Sequence, residues 1–338
     1  MVRGPHGRGG FVVAIVLLGL AVITLLMVSA YQLIRTTGEI RVASRETTEA
    51  ELSAEAGMHR FMGELYGTPP DSMVLQLSPT GSVTVKARRL ERLTGHRTMY
   101  LVSGTAAYGT PYPARRVVRE FAMLEPPVMP LAVVSNVRGT VTVNGFVNGA
   151  DAGALTLCAE PAGDIGGVYA VGGAFGFNTF GTPATQIAPS SASAIAALRA
   201  RWDFLTSAEL PVRYSGLAAW PSFSSLHPDT FPVIRITGNF TPASTHSGRG
   251  TLIVTGAFSP GNTFTWNGVI FAGRVVPPLL ATTFTLRGLM VTGLDLLGGN
   301  LSIPSGYNLQ YHRCNVMKAF GPLSHLERVR GAVWTDTR

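Results

Sequence analysis

The first pattern in the chain is a run of 24 residues without a charged side chain, Phe11 to Ile34. Arg3 and Arg8 precede this run, and Arg35 follows it. A helix rises about 1.5 Å per residue, so the run predicts a helix of roughly 36 Å, long enough to cross the apolar core of a bilayer. By the positive-inside rule, we expect a cytoplasmic N-terminus and export of the chain from Arg35 onward.

A cleaved secretory signal is the alternative interpretation of this run. The run is longer than the apolar region of such signals, which is usually about 7–15 residues, and no A-x-A-like cleavage site follows it closely. The pattern therefore favours a retained single-pass anchor.

The helical pattern continues beyond the apolar run. Apolar and small residues recur every three or four positions, and the glutamates of residues 35–66 fall off this stripe. The pattern predicts one continuous helix from about Phe11 to Tyr66, ended by the GTPP sequence at 67–70. The narrow stripe fits packing against a sheet or a neighbouring helix, and it also fits a plain juxtamembrane stalk. The stripe residues are Ile40, Ala43, Thr47, Ala50, Ala54, Gly57, Phe61 and Leu65.

Residues 71–125 change to a pattern of short strands. Four β-rich or alternating runs, MVLQL, SVTVKARRL, TMYLVSGTAAYG and ARRVVREFAML, are separated by turn sequences. They predict four short antiparallel strands behind the long helix, a small α+β unit. The proline-rich sequence EPPVMP at 125–130 is the predicted domain boundary.

The remainder, 131–338, alternates short runs of Val, Ile, Phe and Thr with glycine. This spacing fits short hairpins, and it also fits a right-handed parallel β-solenoid with a glycine at each corner. We favour the solenoid because T-x-x-V-x-G recurs without the longer polar loops of a hairpin sandwich. The helical pattern of 191–205 is the exception. The corner glycines are Gly238, Gly250, Gly256, Gly268, Gly273, Gly288 and Gly293.

The fold class predicted is thus α+β and mostly β. The predicted segments are a basic leader at 1–10, a transmembrane helix at 11–34, its amphipathic extension at 35–66, a small antiparallel unit at 67–130 and a glycine-rich β domain at 131–338.

The distribution of charge argues against nucleic-acid binding. The net charge is +8, but it is spread over the chain, and no block combines basic residues and aromatics in a way that predicts nucleic-acid binding. Cys158 and Cys314 are the two cysteines. In an exported body they could form a disulfide that closes a long loop, or they could be two separate buried thiols.

The sequence predicts no catalytic, metal or cofactor site. The seven histidines show no zinc-binding spacing, and neither a G-x-S-x-G elbow nor a G-K-[ST] phosphate loop occurs. The alternative is a tethered solenoid that binds or cleaves polysaccharide, with Asp151 and Asp164 as the acids. Turn-capping acids are the simpler interpretation of that pair.

Several aromatic side chains could line a sugar or partner surface or belong to the core, namely Trp220, Phe223, Phe231, Trp266 and Trp334.

The leader GRGG, followed directly by FVVAIVLLGLAVITLL, resembles a class III prepilin signal cut between Gly10 and Phe11. The body is similar to the PilX-type pilus assembly proteins, a likeness carried by LVSGTAAYGTPYPARRVV, GTVTVNGFVNGADA and GTLIVTGAFSPGNTFTWNGVIFAG. The resemblance implies removal of the leader by a prepilin peptidase and methylation of the new N-terminus. It further implies packing of the helix with other pilin or pseudopilin subunits.

One position departs from the major pilins. Those proteins carry a glutamate at the fifth position of the mature chain, where it pairs with the N-terminal amine of a neighbouring subunit, and this chain has Ile15 there. The departure indicates a minor, non-repeating component of a type IV pilus or a secretion pseudopilus. A non-enzymatic assembly protein is therefore the function that the sequence predicts.

Overall fold

The computed structural model contains one long helix, an antiparallel sheet and a stack of parallel strands. It describes residues 9–65, 67–78, 81–92, 97–109, 113–128, 131–153, 163–176, 178–187, 201–208, 210, 212, 214–261, 263–277, 283–297 and 299–336.

The long helix, α1, spans Gly9–Glu64 and is 56 residues long. At about 1.5 Å per residue it extends over roughly 84 Å. Every described side chain from Ile15 to Arg45 is exposed, whereas Ala50, Ala54 and Phe61 are buried. The prediction of one continuous helix is confirmed, and the helix is exposed up to Arg45 and packed from Ala50 onward.

The second half of α1 packs against a five-stranded antiparallel sheet. Four of its strands agree with the four predicted runs: β1 (Ser72–Gln76), β2 (Ser82–Arg92), β3 (Thr98–Tyr108) and β4 (Ala114–Glu125). The fifth strand, β19 (His325–Asp336), pairs with β4 and comes from the far end of the chain. The sequence analysis missed this strand, because it placed all of 131–338 in the glycine-rich domain.

The contact between α1 and the sheet depends on small residues on both sides. Gly57 of the helix lies against the side chain of Val83 on β2, and Gly104 of β3 lies against the backbone of α1 at Ala54. The sheet-packing interpretation is therefore confirmed for the stripe from Ala50 onward. Ile40 and Ala43 are exposed, so the stripe does not pack over its first two turns.

Gly104 provides a direct test of this close contact. A Cβ atom at this position would lie 2.6 Å from the Ala54 carbonyl oxygen and 2.7 Å from Cγ of Met58. We expect Gly104→Ala to lower the free energy of unfolding by about 2 kcal/mol, since overpacking typically costs this much. Urea unfolding followed by circular dichroism measures the effect.

Gly63→Ala is the matched control for that variant. A Cβ at Gly63 meets no atom within 4 Å, and the residue lies inside α1. Alanine is a better helix former than glycine, so this variant should be more stable by about 0.5–1 kcal/mol. Equal stability of Gly104→Ala and the wild type would contradict the packing described here.

The region between β4 and β19 is a stack of parallel strands. Every described pairing among its strands is parallel. Hairpins pair antiparallel strands, so the hairpin interpretation is wrong for this part of the chain. The strands are β5 (Ala132–Asn136), β6 (Val141–Val143), β7 (Phe146–Asn148), β8 (Gly166–Ala170), β9 (Ala174–Gly176), β10 (Thr179–Phe180), β11 (Thr185–Ile187), β12 (Tyr214–Ser215), β13 (Val233–Ile236), β14 (Gly248–Phe258), β15 (Phe264–Val275), β16 (Phe284–Thr292), β17 (Leu301–Ile303) and β18 (Tyr307–Gln310).

A column of glycines crosses three neighbouring strands of the stack. Gly250, Gly268 and Gly288 are paired in register on β14, β15 and β16. The backbone φ is 120° at Gly250 and 137° at Gly268, and a Cβ atom at Gly268 or Gly288 would overlap the backbone of the preceding strand. Only glycine allows the strands to approach this closely here.

An aromatic column lies inside the stack beside these glycines. The rings of Phe264 and Phe284 stack with centroids 5.7 Å apart, and Tyr307 meets Phe284 edge-on at 5.2 Å. All three side chains are buried. The in-register pairing of parallel strands brings like residues together, and their burial forms the core of the stack.

Strands β12 to β16, followed by β18, are neighbours in chain order, but the strands from the start of the region join the stack beside β16 and β18. The second half of β16 pairs with β5, the first strand of the region, and the first half of β16 pairs with β18. The chain therefore enters and leaves the stack at neighbouring positions. A solenoid wound in chain order throughout would have β5 and β7 at its beginning, whereas here they pair with β16 and β18.

Two helical segments accompany the stack. Residues 201–206 are helical, with Trp202 and Leu205 buried, and they belong to the helix predicted at 191–205, of which 191–200 lie outside the described residues. The sequence analysis missed a second helix, α2 (Arg313–Phe320), which packs against β14, β15 and β16.

Two segments connect the stack to the antiparallel sheet. Pro126 and Pro127 are buried, and Nη1 of Arg201 donates hydrogen bonds of 2.8 Å to both of their carbonyl oxygens. On the returning segment, the amide of Gly67 donates to the carbonyl of Ser324 at 2.7 Å. The proline-rich boundary predicted at 125–130 is therefore a buried, hydrogen-bonded connection over its described residues.

Candidate functional site

Most of the exposed large apolar side chains among the described residues lie on the first part of α1, up to Arg45. Leu18 and Leu25 are each 69% exposed, and Ile34 is 72% exposed. Exposed apolar side chains occur on every side of this part, as is typical of a helix whose whole circumference meets lipid or other helices. In the part of the chain that the structure describes, one helix is long and apolar enough, by length and composition, to span a membrane. This helix is α1, over its stretch Ile15–Glu64.

The threonine and serine hydroxyls of the apolar run are satisfied within the helix. Oγ1 of Thr24 donates to the carbonyl of Leu20 at 2.7 Å, and Oγ of Ser29 donates to the carbonyl of Leu25 at 2.8 Å. Polar groups need such internal partners in an apolar environment, where water is absent. The two hydroxyls are therefore compatible with burial in lipid or among apolar helices.

The predicted processing site lies at the start of α1. Gly10 and Phe11 fall in its first turn, and the side chain of Phe11 is outside the described residues. Ile15, at the position where major pilins carry an acid, is 54% exposed. Cleavage between Gly10 and Phe11 stays a prediction.

The structure brings Asp151 and Asp164 together, as acceptors for backbone amides. Oδ1 of Asp164 accepts a hydrogen bond from the amide of Asp151 at 3.2 Å. Oδ1 of Asp151 accepts from the amides of Gly153 at 2.9 Å and Arg313 at 3.0 Å. These are the contacts of turn- and helix-capping acids. The two carboxylate oxygens are therefore already hydrogen-bonded to backbone amides.

His312 caps the start of α2 beside Asp151. Its Nδ1 accepts a hydrogen bond from the amide of Asn315 at 3.4 Å. Burial lowers the pKa of His312 below the ordinary 6.5, and this effect exceeds the opposing effect of the Asp151 carboxylate. Protonation of Nδ1 would also remove the acceptor of the cap.

The lowered pKa of His312 predicts a loss of stability in acid. The unfolded chain binds this proton more readily than the folded chain, so the free energy of unfolding rises with pH up to about 6.5 and is constant above it. We expect the melting temperature of the wild type to fall as the pH decreases below 6.5. His312→Asn keeps a cap acceptor and removes the titration, so this part of the fall should disappear. Identical melting profiles of the two proteins from pH 7.5 to 5 would contradict the prediction.

Only part of the cysteine prediction falls on described residues. Cys314 is buried at the start of α2. Cys158 lies outside the described residues. The pairing of the two therefore stays a prediction.

The aromatic residues proposed for a sugar or partner surface belong mainly to the core. Trp266 and Phe231 are buried, and the half-buried Trp220 and Phe223 each pack against Trp266 with centroids 6.0 Å apart. The side chain of Trp334 lies outside the described residues. Among the described residues, no three His, Cys, Asp or Glu side chains lie close enough together to hold a metal ion.

The sequence analysis missed one exposed surface, a pair of polar rows on the parallel stack. A signal for it exists in the chain, since FTWNG at 264–268 and FTLRG at 284–288 repeat the same pattern. Strand register places the two repeats side by side.

Comparison with known proteins gives little further information. No protein-family model matches the chain, and no curated protein matches it. One solved structure that it resembles is the competence-associated pilin ComZ from Thermus thermophilus, with 10% sequence identity and a TM-score of 0.23, over 86% of this chain and 97% of that chain. At this score and identity the likeness carries no inference about the present chain.

Proposed function

We propose that the protein is a non-enzymatic, minor pilin-like assembly component, anchored in a bacterial inner membrane by α1. The observation that carries the proposal is the division of α1 into an exposed part up to Arg45, which contains the uncharged run Phe11 to Ile34, and a part packed on an antiparallel sheet from Ala50 onward. Such a helix can exchange lipid for neighbouring apolar helices by side-by-side packing while its sheet stays folded outside the membrane.

Partners follow from this arrangement. Membrane lipid would surround the first half of α1 before assembly, and other pilin or pseudopilin subunits would surround it afterwards. Ile15 places an apolar side chain where a repeating subunit needs an acid, which favours a non-repeating position in a type IV pilus or pseudopilus.

The exported body would provide the interaction surface in this proposal. The parallel pairing, the run of neighbouring strands from β12 to β16 in chain order and the glycine column support a β-solenoid for this region. An enzymatic role has less support, because the Asp151 and Asp164 oxygens described above accept backbone amides.

Co-expression with a prepilin peptidase, followed by intact-mass measurement, tests the proposal. We expect a product that begins at Phe11 and carries one additional methyl group. A product that still begins at Met1 would contradict the hypothesis of a processed pilin. The alternative, a membrane-tethered protein with an intact leader, would then remain.

Two leader variants make this measurement specific. Gly10→Leu places a bulky side chain directly before the cut and should remain intact. Gly4→Leu changes the leader away from the cut and should be processed like the wild type. Equal processing of both variants would contradict cleavage after Gly10.

A further inference from the structure

One face of the parallel stack presents side chains in two rows, which together we call the ladder face. The pairing of β15, β16, β18, β7 and β10 aligns these residues across neighbouring strands. The first row consists of Thr265, Thr285, Asn308 and Phe146. The second row consists of Asn267, Arg287, Gln310, Asn148 and Phe180.

The ladder face points away from the core. Successive side chains of a strand point to opposite sides. The residues that alternate with the two rows, such as Trp266, Leu286 and Leu309, are fully buried. Within the rows, Phe146 is 37% exposed and Phe180 is 49% exposed.

Several polar side chains of the ladder face make no hydrogen bond to another described residue. Asn148 accepts a hydrogen bond from the amide of Ala150 through Oδ1. Among the described residues, the side chains of Asn267, Arg287, Asn308 and Gln310 have no hydrogen-bond partner. Their amide and guanidinium groups are available to an external ligand.

The charge of the ladder face is low. Arg287 is its one charged residue. Arg249 continues the second row beyond Asn267, but its guanidinium donates to the carbonyls of Leu226, His227 and Thr230 and is therefore occupied. A phosphate polymer binds through many Lys and Arg contacts, which this surface does not offer.

The shape of the ladder face suits an elongated ligand. Neighbouring strands are about 4.8 Å apart, so five side chains in a row extend over roughly 19 Å. The rings of Phe146 and Phe180 end the two rows, with centroids 5.6 Å apart and an angle of 41° between their planes. Exposed rings of this kind can pack against the C–H face of a sugar, and amides can bind its hydroxyls.

From these observations we propose that the ladder face binds a neutral polysaccharide lying across the strands. Phe146 and Phe180 contact the sugar rings, and the Asn, Gln and Thr side chains bind the hydroxyl groups. The proposal is independent of leader cleavage and filament assembly, so a failure of either proposal leaves the other standing.

Affinity electrophoresis of the full chain in detergent tests the proposal. Native gels would contain dextran, hydroxyethylcellulose or soluble starch, and we expect retardation of the wild type in at least one of them. The double variant Phe146→Ala/Phe180→Ala should weaken this binding by about tenfold or more, since two ring contacts would be lost.

Phe175→Ala is the matched control. Phe175 is 61% exposed on β9, which belongs to a different sheet from the ladder face. This variant should bind like the wild type. If circular dichroism showed the double phenylalanine variant to be unfolded, Asn308→Ala/Gln310→Ala would provide the test, with weaker binding again expected.

Three outcomes would overturn the proposal. The first is migration of the wild type unchanged by all three polysaccharides. The second is equal retardation of the wild type and a folded ladder-face variant. The third is salt-sensitive binding of a single-stranded oligonucleotide, lost in Arg287→Gln, without polysaccharide binding, which would assign the face to an anionic polymer.

Discussion

Replacing Gly268 by alanine is expected to destabilise the protein by about 4 kcal/mol or more, since strain and overpacking act together at this position. Gly268 has a φ of 137°, which a residue with a Cβ atom rarely adopts. Its Cβ would also overlap the carbonyl oxygen of Gly250 on the neighbouring strand. Urea unfolding followed by tryptophan fluorescence measures the loss, because Trp266 is buried two residues away.

Gly299→Ala is the control for that prediction. A Cβ at Gly299 meets no atom within 4 Å, so its effect should stay within about 0.5 kcal/mol. If Gly268→Ala were as stable as Gly299→Ala, the glycine column would not be the contact between strands that the structure describes.

The second large effect is expected at the edge of the antiparallel sheet. The side chain of Glu120 on β4 is 1% exposed, on the same face as Val118 and Ala122, which pack toward α1. Nε of Arg328 on β19 pairs with its carboxylate. Removal of one partner leaves a buried charge uncompensated, so Arg328→Met should lower the free energy of unfolding by about 3–5 kcal/mol.

A double variant distinguishes this charge effect from lost packing. Glu120→Leu/Arg328→Met replaces both charges with apolar groups, and such replacements of buried pairs are often neutral. We expect the double variant to be more stable than Arg328→Met alone. The charge explanation would be contradicted if the double variant were as unstable as the single one.

The local patterns predicted those parts of the fold whose partners are near in sequence. The stripe from Ala50 to Phe61 predicted the packed face of α1, and alternation predicted β1 to β4. β19 was missed because its partner, β4, lies about two hundred residues earlier and no local pattern records that pairing. Long-range pairing of this kind depends on tertiary structure rather than on propensity.

The parallel pairing of the stack agrees with the prediction, but the place of its first strands does not. Recurrent glycines were predicted to mark corners, whereas Gly250, Gly268 and Gly288 lie within β14, β15 and β16 and allow close approach of these strands. The pairing of β16 with β5 joins two segments that are far apart in the chain. Turn signals within each segment contain no information about that pairing.

The ladder face, like the fold, could be predicted only in part from the sequence. Asn267 and Arg287 occupy equivalent places in the FTWNG and FTLRG repeats, so this pair can be found from sequence. Gln310, Asn148 and Phe180 carry no such repeat and join the row only through strand register. An exposed polar residue can be identified as part of a site only when its neighbours in space are known.

We propose that α1 combines a membrane or assembly segment with a separate segment that belongs to the folded body. Alkaline carbonate extraction of cell membranes tests it most directly, by comparing the full chain with a chain that lacks residues 1–34. We expect the full chain to stay in the membrane pellet and the shortened chain to be soluble with the same unfolding midpoint, because described side chains up to Arg45 are exposed. Release of the full chain by carbonate, or unfolding of the shortened chain, would contradict the claim.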